Sequence, residues 1–321
     1  MTKLLFATAK NIERAAVLIR SGGVIAFPTE TVYGLGANAF NPQAMLRIFE
    51  IKNRPSFDPL IVHIANIDSV KKLCADVSPL AKKLMKKFWP GPLTLVLPKN
   101  KTVPDVVTSG LPTVAVRMPS HPVALALVRC AGVPIAAPSA NPFGCLSPTT
   151  AAHVIKYLDG QIDLVLDGGK CPMGVESTIF DLTGEKPTLL RPGALSIEAI
   201  KEIVGEIGLN RNPTKPLAPG GLPQHYSPQT PLKLINNLKV MPMDHRKKKG
   251  LLTFRQPKNE LPFFQRIEVL SQAADLREAA ANLFSCLHKL DEEGLDVIYA
   301  EHVPEVGLGR AIMDRLRRAS S

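Results

Sequence analysis

GGVIAFPTETVYGLGANA, from Gly22 to Ala39, and then IFEIKNRPSFDPLIVHI, from Ile48 to Ile64, decide how this chain is read. Val24 to Phe27 is an apolar strand that runs straight into a Pro-Thr-Glu-Thr turn, followed by a Gly-Leu-Gly loop, a short helix and the pair Lys52-x-Arg54. Polar side chains directly after an apolar strand stand where open α/β sheets place their ligands. Two apart in an extended segment, Lys52 and Arg54 point to one side. A compact ammonium beside a rigid guanidinium fork suits a polyphosphate better than a single carboxylate. Pro55, Asp58 and the apolar run LIVHI hold this pair near the turn that carries Thr29 and Thr31.

Outward from that stretch, apolar runs alternate with helical ones as far as Leu209, the pattern of an α/β fold. VIAFPT, LIVHI, LTLVLP, VAVRMP, PIAAPSA, LVLDGG, STIFDL and TLLRPG are strand candidates, several closed by proline or glycine. The start, MTKLLF, reads as a first strand and not as a leader, since no small-residue cleavage site follows. Helices are predicted over 10–20, with Ile12, Ala15, Ala16 and Ile19 on one face, and over 42–50, 68–74, 78–87, 121–131, 149–157 and 196–204. Asp68, Ser78 and Ser196 are the predicted N-caps.

The span 210–231 changes to a proline- and glycine-rich text that leaves no room for helix or central strand and reads as an extended linker. Beyond it, 232–321 supplies LKLIN, the charged loop DHRKKKG, GLLTF, a helix over 272–290, LDVIYAE and a closing GLGRAIMDRLRRA. This is a small α/β domain that ends in a basic amphipathic helix. The boundaries are therefore 1–209, 210–231 and 232–321.

Five scattered cysteines with no Cys-x-x-Cys pair argue against a disulfide framework and a structural zinc site, and fit a reducing cytoplasm. No apolar run approaches the roughly 20 residues of a membrane span. Residues 1–231 hold 24 Lys+Arg against 16 Asp+Glu, and 232–321 hold 15 against 12, so the basic excess sits mainly with the motifs. That placement suits a site for polyanions such as nucleotide or RNA phosphates.

Further polar residues stand at strand exits. Ser139 and Asn141 follow PIAAP and offer a hydroxyl and an amide to a phosphate or ribose. Arg117 and Arg191 each end a strand just before or near proline and read as anchors for anions. Ser147, before Pro148 and Thr149, reads first as a helix cap, and for Ser177 a plain edge-strand role reads nearly as well as a ligand role. No P-loop, metalloprotease motif or Ser-His-Asp set is present, and Gly34-Leu35-Gly36 is too short for a dinucleotide fingerprint. Chemistry here depends on positioned cations and hydroxyls, without a covalent nucleophile.

Together PTETVYGLG, KNRP, the Ser139-Ala140-Asn141 triplet, GVESTI, LLRPG and the HYSP segment resemble the Sua5/YrdC family of L-threonylcarbamoyl-adenylate synthases over the whole chain, in its long two-domain form. The resemblance implies an open, twisted mixed sheet with a basic concave face, plus a smaller Rossmann-like α/β C-terminal domain. It implies a cytoplasmic enzyme that joins L-threonine, bicarbonate and ATP into threonylcarbamoyl-AMP and pyrophosphate, with Mg2+ carried on ATP and no metal held by the protein. Downstream threonylcarbamoyl-transferase machinery would then build threonylcarbamoyl-adenosine into tRNA. By motif, Lys52 and Arg54 would be catalytic. ATP would meet Lys52, Arg54, Asp58, Thr113, Ser139, Asn141, Ser147, Arg191 and Tyr226, and threonine would meet Thr31, His63, Arg117 and Ser177. Gly221 and Gln224 stand where the family usually has a methionine and a basic residue, while His225 and Tyr226 are kept. The competing readings are a non-catalytic module for double-stranded RNA or tRNA, and a carbamoyl transferase of the hydrogenase-maturation kind. The missing zinc-finger cysteines weigh against the latter.

Overall fold

A computed structural model describes residues 1–209, 226–235, 247–259 and 261–320. Most of the predicted linker, with Gly221, Gln224 and His225, and the start of the DHRKKKG loop lie outside the described residues.

In the first half, β1 (Lys3–Phe6), α1 (Ala9–Arg20), β2 (Ile25–Phe27), β3 (Gly34–Asn38), α2 (Pro42–Lys52) and β4 (Ile61–His63) come first. There follow α3 (Val70–Leu73), α4 (Pro79–Phe88), β5 (Leu93–Pro98), α5 (Asp105–Thr108), β6 (Thr113–Arg117), α6 (Pro122–Ala131) and β7 (Ile135–Ala136). The half closes with α7 (Ala151–Leu158), β8 (Leu164–Asp167), β9 (Thr178–Asp181), β10 (Thr188–Arg191), α8 (Ile197–Val204) and β11 (Gly208–Leu209). The strands form one mixed sheet in the order β1-β8-β2-β3-β7-β4-β6-β5-β9-β10-β11. Helices cover both faces. On one, Ile12, Ala15, Ala16 and Ile19 of α1 pack with Ala124, Leu127 and Ala131 of α6; on the other, a larger core takes Met45 and Ile48 of α2, Leu84 of α4 and Ile200 of α8.

Several predicted elements are corrected. The Gly-Leu-Gly stretch is a strand, not a loop: a Cβ on Gly36 would stand 2.6 Å from both Ile135 and Phe27, so only glycine lets neighbouring chains close this tightly. Lys52 and Arg54 do not lie on an extended segment. Lys52 ends α2, Asn53 caps it in the left-handed region at φ 49°, and Arg54 follows. Asn66, not Asp68, caps the 68–74 region, which is a 3-10 turn running into α3. Thr150, not Ser147, caps α7. Ser78 and Ser196 cap as predicted.

The second half is a four-stranded parallel sheet, β12 (Leu232–Ile235), β15 (Val297–Glu301), β13 (Lys249–Thr253) and β14 (Arg266–Val269) in that order, packed with α9 (Leu276–Asp291) and α10 (Gly309–Ala319). The sequence hid β14 because Glu268, buried at its centre and paired with Arg266 and Lys289, breaks the apolar pattern. Its core does not stop at the domain boundary. Val32, Leu146 and Val175 of the first half share one apolar cluster with Leu283, Phe284, Leu287 and Met313. Among the described residues no helix is long and apolar enough to cross a membrane.

Candidate active site

Strand register brings the site together. In the parallel pair β4·β6, His63 sits opposite Arg117, and in the antiparallel pair β5·β6, Thr94 sits opposite Arg117. Leu93 of β5 pairs with Thr178, just after Ser177, and Arg191 of β10 pairs with Ile179. A row of polar residues thus crosses five neighbouring strands at one end of the sheet, and the turn after β2 closes over it.

That turn supplies more than the hydroxyls foreseen. Glu30 is buried and its carboxylate lies 2.5 Å from Arg117. Arg117 also donates to Thr31 Oγ1 at 3.0 Å and to the Gly91 carbonyl at 3.3 Å, and Thr31 touches Thr29 Oγ1 at 2.8 Å. Burial alone pushes the Glu30 carboxyl up, but the charge and hydrogen bond of Arg117 outweigh it, so the group stays ionised below its usual range. Burial, reinforced by the charge of Arg117, drives the pKa of His63 down to about 3. His63 is therefore a neutral imidazole, and its Nδ1 is buried with no hydrogen-bond partner among the described residues.

At the other side Arg54 pairs with buried Asp58 at 2.9 Å and donates to the Asp58 and Pro59 carbonyls. Lys52 Nζ, almost fully buried, donates to the carbonyls of Ser139, at 2.6 Å, and of Asn141. Burial, and then the charge of Arg54, pull its pKa well below the ordinary lysine value. An anion alongside would restore the ammonium form. Arg191 donates to the Ser177 carbonyl at 3.0 and 3.2 Å and to Ser177 Oγ at 3.2 Å, while that hydroxyl lies 2.7 Å from Thr94 Oγ1.

The cavity measures about 50 Å3 and is partly open to solvent. One water needs roughly 10–15 Å3 on this measure, so the space itself matches a small molecule, and a nucleotide would extend through its open side. Thr31, His63, Arg117 and Ser177 line it, as do Arg54, Ser139, Arg191 and Tyr226. Lys52, Asp58, Asn141 and Ser147 stand one layer behind. Asn141 ties its own loop through Pro142 and Cys145, and Ser147 donates to Glu176. Thr113 is not brought here: it begins β6, four residues from Arg117 or roughly 13 Å along the strand. Three arginines and a single carboxylate, Glu176, line the cavity, so its walls favour an anion.

The sequence reading missed Glu30, Glu176 and Arg315. Arg315, from the last helix, is fully buried and donates to Glu176 Oε2 at 2.8 Å, so it does not belong to a solvated basic face. The available signal was periodicity: Arg315 falls on the same stripe of α10 as Ile312, Leu316 and Ala319. Nor does the basic excess of the first half gather in the cavity: Lys71, Lys72, Lys82, Lys83, Lys86 and Lys87 stand exposed on α3 and α4.

Residues 17–193 match the Sua5/YciO/YrdC family, described as "Telomere recombination", and residues 195–321 match the threonylcarbamoyl-AMP synthase C-terminal domain. The threonylcarbamoyl-AMP synthase of Pyrococcus abyssi is 45% identical over 97% of this chain and 94% of its own length. That of Bacillus subtilis is 44% identical over 100% and 96%. The crystal structure of P. abyssi Sua5 complexed with L-threonine superposes with a TM-score of 0.92 at 43% identity, covering 100% of this chain and 97% of that one.

Proposed function

We infer the reaction from kinship and cavity together: the chain belongs to the Sua5/YrdC family, in its long two-domain form, and is a threonylcarbamoyl-AMP synthase. The observation that carries this reading for the site itself is a small cavity walled by three arginines, one carboxylate and a set of hydroxyls. Threonine, bicarbonate and ATP are its substrates. The threonine amine and bicarbonate yield a carbamate with loss of water; a carbamate oxygen attacks the α-phosphorus of ATP and pyrophosphate leaves. No protein nucleophile is needed, so catalysis rests on alignment, which can supply roughly 7–11 kcal/mol, and on fixed charge.

In this reading Arg117 takes the threonine carboxylate, with Thr31 and Ser177 on its polar groups. Neutral His63 accepts a hydrogen bond at Nδ1 and is too weak a base to carry off an ammonium proton at pH 7. Arg54 and Arg191 face the phosphates, where negative charge gathers on the departing pyrophosphate, and Lys52 adds its positive charge from the layer behind them. Asp58 holds Arg54 in place, and Asn141 and Ser147 shape the wall from behind. Glu30, Asp58 and Glu176 are each engaged by an arginine. Among the described residues no three His, Cys, Asp or Glu converge on a metal position. In this reading Mg2+ would enter on the triphosphate as part of the substrate.

The product is a reactive mixed anhydride, which fits a place in the cytoplasm immediately before a transferase that modifies tRNA. Incubating the purified chain with ATP, bicarbonate and single amino acids tests the reading. Pyrophosphate release should require threonine and bicarbonate together. Release indifferent to either would overturn it.

A further inference from the structure

Helix α10 carries four arginines. Arg310, Arg317 and Arg318 meet Glu198, Glu305 and Asp314 at or near the surface. Arg315 is different: its side chain has no exposure at all. Docking the last helix does not call for a charge there, because Ile312, Leu316 and Ala319 beside it already bury apolar surface. A methionine would fill the place without the desolvation a guanidinium suffers.

What the charge does is seen in its contacts. Nε reaches Glu176, Nη1 reaches the adjacent Asp314 carboxylate at 2.6 Å and the carbonyl of Pro192 at 2.9 Å, next in sequence to Arg191, and the guanidinium carbon lies 4.9 Å from the centre of the Tyr226 ring. Nη2 has no hydrogen-bond partner among the described residues, which leaves the aromatic ring as the neighbour the geometry offers it. Glu176 and Tyr226 both line the cavity. Tyr226 sits in the left-handed region at φ 65°, and the next residue, Ser227, is pinned by its N–H to the Gly144 carbonyl at 2.7 Å. One side chain from the far end of the sequence therefore braces the cavity wall at three points around Ser177 and Arg191.

We propose that Arg315 is a positioning residue for adenylate formation, and that this is what the C-terminal domain contributes to the reaction. It fixes Glu176 and the Tyr226 ring, and through them the wall that holds the nucleotide. Glu176 is, with Asp314, a counter-charge in this arrangement and not a base. Burial raises its pKa, but Arg315 and Arg191 outweigh that, and the carboxylate stays ionised. The proposal rests on the synthase reading given above.

The test uses full-length Arg315→Met, Arg315→Lys, Glu176→Gln and the Arg315→Met/Glu176→Gln double variant, with Arg310→Ala as a control at the same interface. Pyrophosphate release is measured with ATP varied and then with threonine varied. Arg315→Met should lower kcat/KM for ATP roughly 100-fold, the scale of a misplaced reacting group, while KM for threonine stays near wild type. Arg315→Lys, which keeps the charge but loses the fork and the stacking, should fall between. The double variant should be no slower than the slower single one, since both act on one wall. Should Arg315→Met fail to fold, the lysine variant decides. Multiplying losses in the double variant, a KM for threonine that rises along with the loss toward ATP, or a folded Arg315→Met at wild-type rate would each overturn the proposal. The wild-type chain in the same assay tests the synthase reading separately; without threonine-dependent release there, both readings fall.

Discussion

Replacing Glu30 by Gln removes one charge from the centre of the molecule and changes almost no volume. Glu30 and Arg117 each keep only 4% of their side-chain surface exposed. Arg117 would retain its bonds to Thr31 and the Gly91 carbonyl but lose its counter-charge. Breaking one partner of a buried ion pair costs about 3–5 kcal/mol, a large share of a total near 5–15 kcal/mol. At roughly 2–4 °C per kcal/mol, melting at pH 7 should fall by about 6–20 °C, measured by scanning calorimetry. The pH dependence follows from the same pair. The folded pKa of Glu30 lies below its ordinary value of 4.5, so its stabilisation is complete above that value and is lost as pH falls through the folded pKa. The variant should accordingly show a shallower loss of stability in acid. Threonine brings a carboxylate back beside the stranded guanidinium, so it should raise the melting point of the variant more than that of wild type. A variant that melts within about 2 °C of wild type and shows the same acid limb would refute the reasoning.

Lys52→Met should cut kcat/KM for ATP by about 100- to 1,000-fold, the scale for one lost electrostatic donor, and leave threonine binding by calorimetry intact; lost threonine binding would place Lys52 elsewhere in the mechanism. Gly193→Ala would set a Cβ 2.3–2.4 Å from the backbone of Glu176, Ser177 and Thr178. Overpacking of that kind costs about 1–3 kcal/mol, and pyrophosphate release should drop with it, an unchanged rate being the contrary result. His63 is held neutral down to about pH 3 when folded, whereas unfolded it charges below 6.5. It therefore opposes folding increasingly as pH falls from 6.5 to 3, and His63→Asn should flatten the stability profile over that window in urea titrations at several pH values.

Much of this site could be read from the sequence because strand ends are announced by apolar runs closing on proline. Arg117, Ser139 and Arg191 all stand at such exits, and all line the cavity. The register that sets His63 beside Arg117 and Thr94 is a product of sheet order, which no local pattern encodes. Lys52 and Arg54 were found for the wrong geometric reason: a left-handed Asn53 aims them, not the alternation of an extended chain. Glu30 and Glu176 escaped because nothing local marks them as buried: each is defined by an arginine far away in sequence, Arg117 and Arg315. Arg315 escaped because a basic residue on a terminal helix is normally at home in water.

The apolar cluster shared by Val32, Leu146 and Val175 with Phe284 and Met313 gives the two sheets a common fate. Neither half can open without stripping packing from the other, so the chain should melt as a single cooperative unit although its strands form two separate sheets. By the same linkage, a ligand held in the cavity tightens the distant last helix, and hydrogen exchange in α10 becomes a gauge of occupancy more than 100 residues away in sequence from Ser177.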